Sequence, residues 1–372
     1  MAEFEYTIEI DLPDGYREIR GTRTVEDGAV HITHDLPEGV LRSVVGTMKL
    51  GMADRERIFL NGYQTWTYCP EYTKKDRIRG LHGLPSFGVR KFHLDRYGDY
   101  HFVEYPNKKG ILHGESYGYI RDGSFFRLFA SLDEEPGYTL FTYDAPAGEL
   151  TVERDCAGVS CGGEYRVFDL FFASGSEDAV FDRWFSEMEL TRLPAEPLKG
   201  YSSWYNRYEN ISEKSILEDL EGCATLMEPG DLFQVDDGWE PHVGDWLTPD
   251  KKKFPGGMKA VADAIHEKGF KAGLWLAPFV ARVGSELYKK HQDWFLKVGG
   301  ENWFLGSNWG GFCSLDIDKP EVEEYLRETF RRVFEDWGFD LVKLDFLYGA
   351  APFGNERESR AGRMIRAMRF LR

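Results

Sequence analysis

The chain has 372 residues, of which 42% are hydrophobic and 29% charged, and its net charge is −17. That is the composition of an ordinary folded protein long enough for two domains. The acidic balance excludes the basic face that nucleic acid requires and argues against an anionic membrane surface, which leaves a neutral or cationic ligand.

The opening MAEFEYTIEIDLPDG puts acidic residues where a signal peptide would carry a basic and then an apolar run. No stretch approaches the ~18–20 consecutive apolar residues of a membrane span. Up to residue 190 the sequence reads as closely spaced short strands: EYTIEI, GAVHIT, RSVVGTMKL, HFVEYP, FFRLFASL, YTLFTYD and YRVFDLFFAS. Gly, Asp, Pro and Asn turn signals separate them, and the spacing predicts an all-β sandwich over 1–191. SEDAVFDRWFSEM predicts a helix closing this domain, and RLPAEPLKG (192–200), with two prolines, predicts a linker.

From 201 to 372 the rhythm changes to strand–helix alternation. YSSWYNRY (201–208) reads as a strand, and SEKSILEDLEGCATLM as an amphipathic helix with Ser212 as N-cap. The same Ser212 completes an Asn210-Ile211-Ser212 glycosylation sequon, which the helix entry accounts for better. LFQVDDGW (232–239) predicts a second strand, GGMKAVADAIHEKG (256–269) a helix ending at Gly269, and KAGLWLAPF (271–279) a third strand. KPEVEEYLRETFRRVFEDWG (319–338) predicts a long helix with Pro320 in its first turn, followed by LVKLDFLY as a fourth strand. WFLKVGG and FCSLDID suggest a hairpin in a long loop, with CSLDI open to being a fifth strand.

Repeated βα units argue a parallel sheet. Polar and aromatic clusters at the strand ends fit an α/β (β/α)₈ TIM-type barrel, whose sites lie at the C-terminal ends of its strands. A doubly wound sheet would also satisfy the alternation, but no GxGxxG or P-loop follows a strand. Four or five strands fall short of eight, so the expectation is an incomplete barrel. The last segment predicts a helix with Met364, Met368 and Leu371 on one face, running to Arg372 without a terminator. A chain shortened within the barrel would expose sheet edges, for which the expected cover is a homo-oligomer or a missing C-terminal portion.

The candidate chemistry lies at the strand ends. Asp345 follows Lys343 by two residues, on one face of a strand. A neighbouring ammonium would keep the aspartate ionised, able to attack an anomeric carbon or to stabilise an oxocarbenium ion. The alternative is a structural ion pair at the rim. Asp236 and Asp237, with Gly238 to allow a turn, can both reach the cleft; a pair of vicinal sugar hydroxyls suits one such carboxylate, and helix or turn capping is the alternative for one of them. A divalent metal would need a third ligand, and none stands out, so no metal or cofactor is expected.

Aromatic residues make up 15% of the chain, and Trp204, Trp239, Trp246 and Trp275 are candidates for cleft walls as well as for core. His242, His266 and His291 have no partner pattern, and no GxSxG or Cys–His arrangement is present. Five cysteines (Cys69, Cys156, Cys161, Cys223, Cys313), odd in number and without CxxC spacing, suggest neither disulfides nor zinc. The expected location is cytoplasmic.

The motifs FLNGYQTWTY (59–68), YSSWYNRY, FQVDDGWEPHVGDWL (233–247), FPGGMKAVADAIHEKGFKAGLWLAPF (254–279) and LVKLDFLYGA together resemble the glycoside hydrolase family 36 α-galactosidases, over nearly the whole chain. The resemblance implies an N-terminal β-supersandwich before the barrel, a small α-galactoside as substrate, and hydrolysis with retention. It matches Asp345 to the nucleophile and Lys343 to a lysine that binds sugar hydroxyls. Asp236 and Asp237 match the aspartates that read the C4 and C6 hydroxyls. Trp275 matches an aromatic wall, Trp204 an aromatic on the first strand, and Trp66 a tryptophan supplied by the β domain. Leu347 stands where many relatives carry Asn.

The family's general acid/base lies on a later strand than any present here, and Glu356 and Glu358 have no motif support as replacements. Retaining hydrolysis requires both carboxyl groups, so slow turnover is expected. Related activities, namely galactosyl transfer or action on N-acetylgalactosaminides, share the motifs. A non-catalytic carbohydrate-binding protein with a degenerate half-barrel is a further alternative, against which the retained VDDGW and KLD speak.

Overall fold

The computed structural model describes residues 2–190 and 197–372. They group into two compact units, one holding the N-terminal residues together with 351–372, the other ending at Ala350. Most of the expected linker, 192–200, lies outside the described residues.

The first unit is built on a sandwich-like antiparallel sheet of ten strands. These are β1 (Ala2–Leu12), β2 (Gly15–Val25), β3 (Gly28–Lys49), β4 (Arg57–Leu60), β5 (Ile111–Glu115), β6 (Tyr117–Asp122), β7 (Phe125–Ser131), β8 (Tyr138–Asp144), β9 (Glu149–Asp155) and β10 (Ser160–Gly175). The order is β4-β6-β7-β10-β3-β9-β8-β5, with β1 pairing both β2 and β3. Alternation drives the burial: Phe4, Tyr6, Ile8 and Ile10 of β1 point into a core that also holds Phe141, Val152 and Phe168.

GAVHIT and RSVVGTMKL, two strands by sequence, are one strand of 22 residues. The register with β10 shifts between Cys161 and Gly163, opposite Gly39 and Leu36, so Pro37 falls in an irregularity where its missing N–H breaks no ladder bond. β2 left no sequence signal because it has no buried alternation; only Val25 is buried. HFVEYP is not a strand. Phe102 ends a helical turn, Gly98–Phe102, and stacks on Tyr63 at 3.7 Å between ring centroids, which replaces the alternation a ladder would need.

The helix Arg360–Leu371 also belongs to this unit, whereas the sequence grouped it with the barrel. Arg360 Nε donates to Asp155 at 2.8 Å, and its guanidinium lies 4.4 Å from the centre of the Phe102 ring. Its buried residues are Ala361, Arg363 and Ala367, while the expected Met364, Met368 and Leu371 stay partly exposed.

The second unit is a partial α/β region. Its parallel sheet has the order β11 (Gly200–Ser202), β12 (Leu232–Val235), β13 (Lys271–Leu276), β19 (Leu341–Leu344). Between β13 and β19 the chain makes an antiparallel excursion: β14 (Val280–Arg282), a small ribbon of β15 (Lys297–Val298) and β16 (Glu301–Asn302), then β17 (Phe304–Gly306) and β18 (Phe312–Ser314). Of CSLDI (313–317) only Cys313 and Ser314 lie on β18, which pairs antiparallel with β14 and β17, so the parallel sheet has four strands among the described residues. β12 and β13 are almost wholly buried, while all four residues of the edge strand β19 keep partial exposure.

The helices follow their sequence signals. Glu213–Cys223 opens on a reciprocal capping box, in which Ser215 N donates to Ser212 Oγ and Ser212 N to Ser215 Oγ. Gly257–Glu267 is followed by Gly269 at φ +80°, a backbone turn that favours glycine. Pro320–Arg331 starts on its proline and runs into a π-helical turn, Arg332–Asp336. Among the described residues no helix is long and apolar enough to cross a membrane.

Candidate active site

The parallel strands deliver their polar residues just past their C-terminal ends. β12 stops at Val235, so Asp236 and Asp237 are free of the strict alternation of a strand and both turn into one buried cluster. Gly238 makes this possible. Its φ is +109°, and a Cβ there would lie 2.6 Å from the carbonyl oxygen of Glu209.

Asp236 is the hub. Its Oδ2 accepts from Lys343 Nζ at 2.7 Å, from Gln234 Nε2 at 3.0 Å and from Ser202 Oγ at 3.4 Å, while its Oδ1 accepts from the Asp237 N–H at 3.0 Å. The cluster thus draws on β11, β12 and β19. Lys343 had been expected to attend Asp345. Two residues apart on one strand face, the side chains share a direction, but the longer lysine reaches past its neighbour to the more deeply buried carboxylate.

Asp345 is held without that lysine. Its N–H donates to the Leu276 carbonyl at 2.9 Å, which extends the β13–β19 ladder by one residue. Its carboxylate accepts from the Trp275 indole N–H at 3.2 Å and from the Phe346 N–H at 2.8 Å. Phe346, at φ +52°, turns the chain away immediately afterwards. Asp345 stays partly exposed, so a reactant can reach it.

Asp237 accepts from the Trp309 indole N–H at 2.8 Å and hydrogen-bonds the Glu240 carboxyl. Burial pushes the Asp237 carboxyl above its usual range and the Asp236 carboxylate adds to the effect, while the bonds from Glu240 and Trp309 oppose it. Glu240 is also buried, and desolvation with Asp237 beside it pushes its carboxyl well above the usual range. The bond between the two carboxyls lowers Asp237 and raises Glu240, which makes Glu240 the favoured proton donor of the pair. The Gly238 N–H donates to Glu240 Oε2 at 3.3 Å.

Of the tryptophans, Trp275 reaches Asp345 with its indole N–H but is only 2% exposed, so its ring is packed in the core rather than open as a cleft wall. Trp204 lies in a helical turn, Trp204–Arg207, that follows the short β11, rather than on a strand. Trp239 and Trp246 are fully buried, so they are core and not cleft walls. With Trp275 and Trp309 they form a run of indoles whose successive ring centres lie 5.9–6.1 Å apart. Trp66 belongs to the first unit, where it is 50% exposed and lines a cavity of about 520 Å³ between β4 and β5 in sequence.

Two residues escaped the sequence reading. Glu240 had no visible role because only burial makes a carboxyl beside Asp237 significant. Trp309 sits at φ +54° in a turn between β17 and β18, a backbone region bulky residues seldom occupy. Its signal was the glycine pair Gly310-Gly311 directly after a tryptophan.

His242 accepts from Arg282 Nη1 at 2.9 Å, His266 pairs with Asp340 at 2.8 Å, and His291 stacks on Trp294. These are structural contacts. The five cysteines are free thiols. A partly exposed carboxylate held by N–H donors on the rim that also carries two buried carboxyls and an ammonium can attack an electrophilic carbon or stabilise a cation formed there.

Residues 202–371 match the melibiase family. α-Galactosidase Mel36A of Lactobacillus acidophilus is 34% identical over 151 residues, 39% of this chain and 20% of that protein. A probable α-galactosidase C of Aspergillus flavus is 27% identical over 331 residues, 79% of this chain and 40% of that protein. The chain therefore spans well under two thirds of the length of these curated relatives. Among solved structures, the α-galactosidase TtGalA of Thermus thermophilus, in complex with p-nitrophenyl α-D-galactopyranoside, superposes with a TM-score of 0.68 at 27% identity, covering 92% of this chain and 68% of that one. The family 36 α-galactosidase AgaA of Geobacillus stearothermophilus, at 17% identity and a TM-score of 0.58, shares the fold. The stretch that matches the melibiase family, residues 202–371, holds the Asp236–Lys343 cluster and Asp345.

Proposed function

We propose that this chain carries the nucleophile and the sugar-recognition groups of a retaining α-galactosidase. The observation that carries the reading is the gathering of Asp236, Asp237 and Lys343 from separate strand ends, with Asp345 on the same rim of one parallel sheet. TtGalA, the relative of similar architecture, is solved with an aryl α-galactoside and with stachyose, which motivates the substrate class.

Asp345 attacks the anomeric carbon and forms a glycosyl ester, and water later cleaves that ester with retention. Its Trp275 and Phe346 donors hold the carboxylate in one orientation. Asp236 and Asp237 accept from sugar hydroxyls, Lys343 donates to one, and the partly exposed Trp204 offers an apolar ring face to the pyranose. The leaving group also needs a proton, and that role is assigned to no residue of this chain.

The test separates the two roles. A 2-deoxy-2-fluoro galactoside with a fluoride leaving group needs little proton donation, so it reports on the nucleophile alone. Incubation followed by peptide mass spectrometry should find one galactosyl adduct on the peptide containing Asp345 and none after Asp345→Asn. An adduct on another carboxylate, or on none, would sink the assignment.

A further inference from the structure

The cavity in the first unit contains polar groups that its own fold leaves unserved. Asp99, on the helical turn Gly98–Phe102, and Glu115, at the end of β5, are only 7% and 8% exposed. Asp99 Oδ1, Glu115 Oε2 and His113 Nδ1 are all buried without a hydrogen-bond partner, and all three side chains line this one cavity. His113 and Glu115 are two apart on β5 and so share a strand face. The other oxygen of Asp99 is committed, accepting from Thr67 Oγ1.

Each such orphan costs about 1–3 kcal/mol. Three in one place are poor design for folding alone, and buried polar groups are ordinarily paired. The volume, about 520 Å³, is that of a small-ligand site. Aromatic residues line it too, including Trp66, Phe102 and Tyr105, the last packed edge-on against His113 at 4.5 Å.

We propose that this cavity binds a saccharide, through Asp99, His113 and Glu115, none of which belongs to the Asp345 cluster. The shape of the acceptor set decides between sugar and cation. Among the described residues no three His, Cys, Asp or Glu side chains stand close enough to hold one metal ion. The three groups therefore do not converge on one ion. Hydroxyls distributed around a ring reach them, and the ring's C–H face packs on the aromatics. Burial supports the neutral choice. It pushes the Asp99 and Glu115 carboxyls up, Glu115 well above its usual range, and drops His113 to about 4. The wall then offers neutral donors and acceptors suited to an uncharged polyol.

The experiment is calorimetric titration of the full chain carrying both Asp345→Asn and Asp236→Asn, which disables the galactoside cluster. Sucrose and D-galactose are the saccharide probes and Tris is the cationic probe. A saccharide should bind one per chain, and adding Asp99→Asn or Glu115→Gln should weaken it about tenfold. A buried substitution can cost the fold, so hydrogen exchange on the unsubstituted chain gives a second reading. Sucrose should slow exchange over 61–69 and 97–105. Binding of Tris alone, no binding of either saccharide, or saccharide binding without protection of those segments overturns the proposal. Failure of galactosyl trapping on Asp345 leaves this inference untouched, because Asp99, His113 and Glu115 take no part in that step.

Discussion

Lys343 Nζ lies 2.7 Å from Asp236 Oδ2, although their strands are not neighbours: β13 runs between β12 and β19. The lysine spans a strand to neutralise a carboxylate whose side chain is 2% exposed, while its own is 38% exposed. Lys343→Ala would leave Asp236 with only the neutral donors of Gln234, Ser202 and the Asp237 amide. Removing one partner of a fully buried pair costs about 3–5 kcal/mol. Because the ammonium is partly solvated, we expect about 2 kcal/mol here, read as a lower urea midpoint at pH 7. An unchanged midpoint would mean that Asp236 is already satisfied without the lysine.

Glu240 makes stability depend on pH. Its carboxyl titrates near 4.5 when unperturbed and well above that in the folded chain. The folded state thus keeps a proton that the unfolded state releases. Its contribution is complete below about pH 4.5 and is lost as pH rises through the folded value, by at most ~1.4 kcal/mol per pH unit. Glu240→Gln cannot titrate, so the stability of wild type relative to the variant should fall steadily from pH 4.5 upward. Urea unfolding of both proteins across that window measures the difference, and parallel curves would deny Glu240 its retained proton.

Trp309 tests recognition. Trp309→Phe keeps an aromatic ring among Trp275, Phe312 and Phe346 but removes the indole N–H that Asp237 accepts. Losing a charge-assisted bond of this kind costs about 1.5–3 kcal/mol. Affinity for an α-galactoside should drop by about tenfold or more, while trapping on Asp345 at saturating reagent persists. Equal affinity in the two proteins would remove Trp309 from recognition.

Ser212 is a purely structural test. The reciprocal bonds between Ser212 and Ser215 satisfy donors at the start of the helix that follows β11. Ser212→Ala should cost about 1 kcal/mol, seen as a lowered melting temperature with an unchanged circular dichroism spectrum at 25 °C. A double substitution with Ser215→Ala should add little, because the two hydroxyls act as one unit.

What was readable in the sequence was local. The Ser212 cap, the proline at the start of Pro320–Arg331, the glycine after Gly257–Glu267 and the acid pair before Gly238 each depend on residues a few positions apart. What was hidden depended on distance or depth. Trp309 meets Asp237 from 72 residues away. Lys343 chooses a partner two strands across, which alternation along its own strand cannot show. Trp239 and Trp246 carry the same indole as Trp275 and lie as deep, and only the bond from Trp275 to Asp345 sets that residue apart. The helix Arg360–Leu371 buries two alanines and an arginine in preference to its methionines, a choice set by the surface it meets. In the first unit β2 was invisible because it buries almost nothing.

The excursion between β13 and β19 interrupts two strands that are adjacent in the sheet, and it carries Trp309. Trp275 and Asp345 are anchored by the continuous β13–β19 ladder on either side of that interruption. The polypeptide therefore separates a frame held by strand pairing from an attachment looped out of it. Sequence drift, insertion or deletion between 280 and 318 can remodel what touches the ligand while the distance from Trp275 to Asp345 is kept by strand pairing alone.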